Sequence, residues 1–150
     1  MIIRKATKED FGHCLGIAKA LPEWFDTKGL SEIEKDLTAL PTYVCDDSGI
    51  IAFACTKDIS DNSIEIVHIA VDRTERHKGV GTELIRYIET VLAPSKTIEV
   101  KTLDESAKYE PYVNTRKFYI KNGFVKTDVI DPYPEWGPGN PCAVYNKAPK

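Results

Sequence analysis

The stretch SIEIVHIAV, residues 63–71, constrains the fold more than any other part of the chain. Its apolar residues fall on both faces, and only Glu65 and His68 are strongly polar. A strand of that kind is covered on both faces, as expected of a central strand. The chain leaves it through ERHKGVGTEL, residues 75–84. There Arg76, His77 and Lys78 meet Gly79 and Gly81, and an apolar stripe at helical spacing starts at Val80. It runs through Leu84, Ile85, Ile88, Val91 and Leu92 to Pro94. Glycine removes the side chain where another backbone or a ligand comes close. A helix start offers unpartnered N–H groups and a partial positive charge. Together they read as an anion cradle at a helix N-terminus.

The flanking segments supply the layers. MIIRKA reads as a first strand, and Thr7 with Asp10 as the cap of a helix that runs through Phe11, Leu15 and Ala18 to Pro22. Ser31 with Glu34 opens a second helix that stops before Pro41. TYVCD and IIAFACTKD form a hairpin across DDSG, and SDNS turns the chain into the central strand. After the cradle helix come the strand TIEVKTL, a helix from Tyr112 to Asn122 stopped at Gly123, and the strand FVKTDVI. Residues 131–142 are too rich in proline and glycine for regular structure, and VYNKA closes the sheet. The order β-α-α-β-β-β-α-β-α-β-β predicts an α/β (α+β) fold. With no repeat or linker, it predicts one domain over residues 1–150.

Composition excludes several classes of function. A net charge of −3 argues against a general nucleic-acid binder. The absence of a long apolar run argues against a membrane span, and MIIRKATKEDFG lacks the apolar core of a secretion signal, so a cytoplasmic protein is expected. Cys14, Cys45, Cys55 and Cys142 are scattered without a CxxC pair and read as buried free thiols. His13-Cys14 has no second pair at metal spacing, so no metal is expected.

Two phosphate loops are ruled out at the cradle. The dinucleotide pattern GxGxxG needs glycine where Leu84 stands, and the Walker pattern needs lysine where Thr82 follows Gly81. What remains is Arg-x-x-Gly-x-Gly. Backbone N–H groups from His77 to Thr82 can converge on a pyrophosphate, Gly79 and Gly81 keep methyl groups out of its way, and Arg76 and Lys78 add charge. The competing reading is a solvated turn whose glycines ease packing.

HIAVDRTERHKGVGTELI resembles the acetyl-CoA signature of the GNAT superfamily of N-acetyltransferases, R/Q-x-x-G-x-G/A after a strand ending in a small-hydrophobic pair, here Ala70-Val71. TRKFYIKNGF, residues 115–124, resembles the family's A-x-x-F-Y-x-x-x-G-F element. Thr115 stands in its usual alanine position, and Tyr112 where many members have an asparagine that contacts CoA. The resemblance implies a GNAT-type mixed, mostly antiparallel central sheet of about six or seven strands with about four flanking helices. It implies acetyl-CoA as co-substrate, bound by Ile69, Ala70 and Val71 and by Arg76, His77, Lys78, Gly79, Val80, Gly81 and Thr82. The implied reaction is direct acetyl transfer to a primary amine, carried by a small molecule or peptide, in a ternary complex. A regulatory CoA-binding module and transfer of a longer acyl group are the alternatives, and a homodimer is left open.

Such a reaction has three needs. The amine, with a pKa near ~10, must lose a proton. The developing oxyanion needs donors, and the departing thiolate benefits from a proton. Glu65 is the candidate base; EIVHIAV resembles the strand of the histone-acetylating GNAT branch, whose glutamate at this position acts as base. His68 is its rival, on the opposite face by strand alternation unless a bulge intervenes. Tyr119 matches the family's acid. A backbone N–H near Ala70 or Val71 is the expected oxyanion donor, with the pantetheine arm beside the same strand. Lys117 and Lys121 are candidates for outer phosphates, and Tyr133, Trp136 and Asn140 for an acceptor pocket.

Overall fold

The computed structural model describes residues 1–149. In chain order the elements are β1 (Ile2–Lys5), α1 (Lys8–Lys19), α2 (Thr27–Ala39), β2 (Thr42–Asp46), β3 (Ile50–Ser60), β4 (Ser63–Val71), α3 (Val80–Tyr87), β5 (Thr97–Leu103), α4 (Pro111–Lys121), β6 (Val125–Ile130) and β7 (Cys142–Lys147). The strands form one sheet in the order β1-β2-β3-β4-β5-β7-β6. Every pairing is antiparallel except β4 with β5. The mixed sheet and its four α-helices bear out the expected fold.

β4 sits in the middle and feeds two cores, as its two-sided apolar pattern demands. Ala70 joins Cys14, Ile17, Ile33, Leu37, Val44 and Phe53 beneath α1 and α2. Ile64 and Ile66 join Val80, Leu84, Ile85, Ile88, Tyr119 and Phe124 beneath α3 and α4. Thr7 and Asp10 cap α1 as expected, the Asp10 carboxylate accepting the Thr7 N–H at 2.8 Å.

Two boundaries differ from the sequence reading. α2 begins at Thr27 rather than Ser31, because the Asp26 carboxylate caps it by accepting the Gly29 N–H at 2.8 Å. The stripe after the cradle is α-helical only to Tyr87; residues Ile88–Leu92 form a π-helical turn before Pro94. The wider i→i+5 turn rotates the chain, and Val91 points to solvent at 55% exposure instead of joining the stripe.

Two irregularities mark β4. Its parallel pairing with β5 runs only from Ser63–Thr97 to Ile66–Val100. Beyond that point β4 continues against β3 alone and β5 against β7 alone, so the two strands part. β4 also bulges: His68 faces Cys55 and Ile66 faces Thr56, which leaves Val67 as the extra residue outside the ladder.

Candidate active site

The cradle lies where β4 ends. His77 and Gly79 both adopt the left-handed region, at φ +66° and +80°, which bends the chain sharply into α3. The first helical hydrogen bond runs from Glu83 N–H to the Gly79 carbonyl at 3.0 Å. The N–H groups before it stand at the helix start, outside the ladder. A methyl group on Gly79 would meet nothing within 4 Å, so the loop is open on that side. Gly81 meets a packing constraint. Its methyl group would stand 2.9 Å from Phe118 Cζ and 3.7 Å from Val71 Cγ2. Gly81 therefore lets α4 close against α3. Val80 is buried in the α3/α4 core, and Thr82 is half-buried on the helix's first turn.

The expected cations of the loop turn to protein partners. Lys78 pairs with Glu75 at 3.0 Å. The Arg76 guanidinium lies 4.5 Å from the centre of the Trp24 ring, and burial there, followed by the nearby Arg73 charge, lowers its pKa from the ordinary guanidinium value. Trp24 belongs to residues 20–26, a strap between α1 and α2. Arg73 ties one end of the strap, donating to the Ala20 carbonyl at 2.9 Å and pairing with Glu23 at 2.7 Å. α4 ties the other. The indole N–H of Trp24 reaches the Pro111 carbonyl (3.1 Å) and Thr115 Oγ1 (3.2 Å), and the Tyr112 hydroxyl donates to the Trp24 carbonyl at 3.1 Å. Both departures from the family pattern, Tyr112 and Thr115, thus hold one strap residue. No sequence motif marks Trp24, since its hydrogen-bond partners on α4 lie 87 to 91 positions away.

The α1/α2 face of the sheet carries the polar groups. Strand alternation alone would separate Glu65 from His68, but the extra residue Val67 flips the register, and both share the face of Cys55 and Ala70. His68 Nε2 lies 2.7 Å from Asp36 Oδ2 on α2. Glu65 Oε1 lies 3.4 Å from Lys101 Nζ on β5, with both side chains largely shielded. Lys101 is the first β5 residue past the last β4–β5 pair. Its ammonium is also 5.9 Å from the centre of the Tyr133 ring. Asp36 and Lys101 were not found by sequence reasoning, because no motif marks them and each comes from a different element. On the opposite face Ile69 and Val71 stay half-buried, level with the stretch of β4 that lacks β5.

Tyr119 is 6% exposed and packs against Phe118, Phe124 and Tyr145. Burial, and then the neighbouring Tyr112, pushes its phenol well above the ordinary value. Tyr133 and Trp136 stack edge to face at 4.8 Å over Cys142 and Val144, covering the β7 side of the same face. Asn140 is spent on its own loop, donating to the Trp136 carbonyl at 3.0 Å. Lys117 and Lys121 are exposed on α4. The four cysteines are free and buried. Among the described residues there is no cluster of three or more potential metal ligands, and no helix is long and apolar enough to cross a membrane.

Comparison with known folds agrees with this architecture. A protein of the GNAT family from Desulfovibrio desulfuricans superposes with a TM-score of 0.79 at 15% identity over 98% of each chain. An aminoglycoside 6′-N-acetyltransferase complexed with coenzyme A gives 0.72 at 18% identity, covering 99% of this chain and 97% of that one. A GNAT-like decarboxylase in complex with isobutyryl-CoA gives 0.74 at 17% identity over 99% of each. A search of the curated proteins finds no match. The sequence model of the acetyltransferase (GNAT) domain matches residues 39–126. That span, more than half the chain, takes in the parted strands, the cradle and α4, and the protein belongs to the GNAT acetyltransferase family.

Proposed function

We propose that the protein is an acetyl-CoA-dependent N-acetyltransferase that moves the acetyl group directly to a bound primary amine. One observation carries this reading. The strand that ends in an open helix-start cradle also presents a carboxylate and an imidazole on one face, beside the point where β4 and β5 part. In this reading the pyrophosphate of acetyl-CoA meets the N–H groups of residues 77–82, and the pantetheine arm follows the unpaired stretch of β4 past Ile69, Ala70 and Val71. The amine enters from the α1/α2 face, a small molecule or a peptide side chain. Glu65 takes its proton, and His68, steered by Asp36, is the second candidate for that role because the bulge brings it to the same face.

Tyr119 is proposed at the leaving group, with a refined role. Its raised pKa keeps the phenol protonated. Full transfer to a thiolate whose thiol has a pKa of about 8.5 runs uphill, so the phenol serves by donating a hydrogen bond as the sulfur gains charge. A cysteine relay is disfavoured. Burial pushes the thiols of Cys14 and Cys142 up to about 12, and those of Cys45 and Cys55 to about 11, which leaves them poor nucleophiles.

The fold alone does not choose the chemistry, since it also houses a decarboxylase. The deciding experiment is an amine panel with acetyl-CoA and with a longer acyl-CoA, read by thiol release, with rapid acid quench and mass spectrometry for acyl-cysteine. Acetyl transfer to a primary amine without a cysteine adduct is expected. Coenzyme A binding with no turnover for any amine would instead make the protein a binding module.

A further inference from the structure

We infer that Lys101 is a self-acylation site: bound to acetyl-CoA, the chain acetylates its own Lys101 in a single intramolecular turnover. The inference rests on the proposed acetyl transfer and concerns what occupies the acceptor side of the cleft when no amine is present.

Geometry singles out this lysine. Lys101 follows the last paired β4–β5 residues, on the strand that parts from the cofactor-side strand. Its register partner on β7 is Val144, part of the small core under Tyr133 and Trp136, so the side chain lies on the Glu65 face. Its Nζ is 3.4 Å from Glu65 Oε1, which makes it a primary amine already held by the candidate base. The Tyr133 ring borders it at 5.9 Å. A primary ammonium between a carboxylate and an aromatic ring is the arrangement an amine acceptor needs before it is deprotonated. Two other ion-paired lysines, Lys147 half-buried and Lys126 exposed, serve as internal controls. Lys126 and Lys147 pair with Asp104 and Glu89. Their register partners, Tyr145 and Ile98, lie in the α3/α4 core, so both project from the face opposite Glu65.

The step balances without any further reactant. The Lys101 ammonium gives one proton to the Glu65 carboxylate. The free amine attacks the thioester carbon, a C–N bond forms and the C–S bond breaks. The nitrogen loses its second proton as the amide forms, and the departing sulfur takes up a proton to leave as CoA thiol. One proton is released in all. The product amide no longer carries charge, so the Glu65–Lys101 ion pair is lost and Glu65 faces the cleft unpaired.

The test uses the full chain with acetyl-CoA and no added amine, followed by quench and peptide mapping over time. Lys101 is expected to gain one acetyl group at least about tenfold faster than Lys126, Lys147 or any exposed lysine. The rate should saturate with acetyl-CoA, stay constant when the protein is diluted, and fall about 100-fold or more in Glu65→Gln, as loss of a general base requires. Lys101→Arg should abolish the adduct and the accompanying single equivalent of thiol while keeping CoA affinity in calorimetry. Lys101 reacting no faster than the control lysines, or at a rate proportional to protein concentration, overturns the inference. The same preparation is run against the amine panel. If amines turn over while Lys101 stays unmodified, the inference falls and the acetyltransferase reading stands; if neither reacts, both fall.

Discussion

The cradle and the acceptor face share one strand and are built by opposite means. The cradle is made of backbone: two left-handed residues and the first turn of α3, consecutive in sequence. The acceptor face is made of side chains from α2, β4, β5 and the segment after β6, brought together by a bulge and by the parting of two strands. A backbone site tolerates most side-chain changes but not a change in φ. A side-chain site responds to the loss of a single functional group. The two regions should therefore fail in different observables.

The largest effect is expected on the acceptor face. Glu65→Gln should lower turnover by ~100- to 10,000-fold at saturating acetyl-CoA, with cofactor affinity kept. The base acts only when ionised, so the parent's rate should fall toward low pH and the variant should lose that acidic limb. If the limb survives Glu65→Gln and disappears in His68→Gln, the imidazole held by Asp36 is the base.

Tyr119→Phe comes next. Loss of a hydrogen bond to a charged group is worth ~1.5–3 kcal/mol, which is ~10- to 100-fold in a step limited by thiolate departure. CoA affinity should not change, because the ring and its packing remain. A turnover equal to the parent's with the slowest leaving thioester would reduce Tyr119 to a core residue.

Gly79 and Gly81 separate the two kinds of construction within one loop. Gly79→Val forces a β-branched residue to φ +80° with open space around it, and the strain of ~1–3 kcal/mol should weaken CoA binding by about 5- to 150-fold. Gly81→Val instead drives a side chain into Phe118, and such overpacking costs ~1–3 kcal/mol of stability, visible as a lowered Tm. Adding Phe118→Ala should recover part of that Tm loss in the Gly81 variant and nothing of the binding loss in the Gly79 variant. Rescue of both would mean that the loop is a packing device throughout.

The smallest effect lies outside the cleft and guards the pH experiment. Hydrogen bonds from Arg4 hold the Asp10 carboxyl at about 2. A depressed carboxyl contributes stability that is fully present above its unfolded value of about 3.9 and is lost as pH falls to about 2. Asp10→Asn should flatten the stability curve in that window and leave the acidic limb of turnover where it was. A limb that moved with Asp10→Asn would be reporting unfolding rather than the base.

The cradle was legible because its residues are consecutive and its physics is local. Even so, sequence did not show that Gly81 faces Phe118, since that ring comes from α4. The four buried free thiols were legible from their scatter without a CxxC pair and, for two of them, from the apolar strand-like runs around them. The start of α2 was misread because Ser31 and Glu34 mimic a cap, while Asp26 performs the capping through the Gly29 N–H. Glu65 and His68 were each visible as polar residues on an apolar strand. Their shared face was not, because alternation of period two separates them and only the unpaired Val67 reverses it.

By itself the sequence determined that a central strand buried on both faces leads into a glycine-bent helix start, since hydrophobic periodicity and backbone permissiveness act between near neighbours. Tertiary structure alone decided that Glu65 meets Lys101, that His68 meets Asp36, and that Trp24 bridges Arg76 and α4. Those contacts join residues more than thirty positions apart. Their distances follow from sheet register and strand separation, which the whole chain sets through packing.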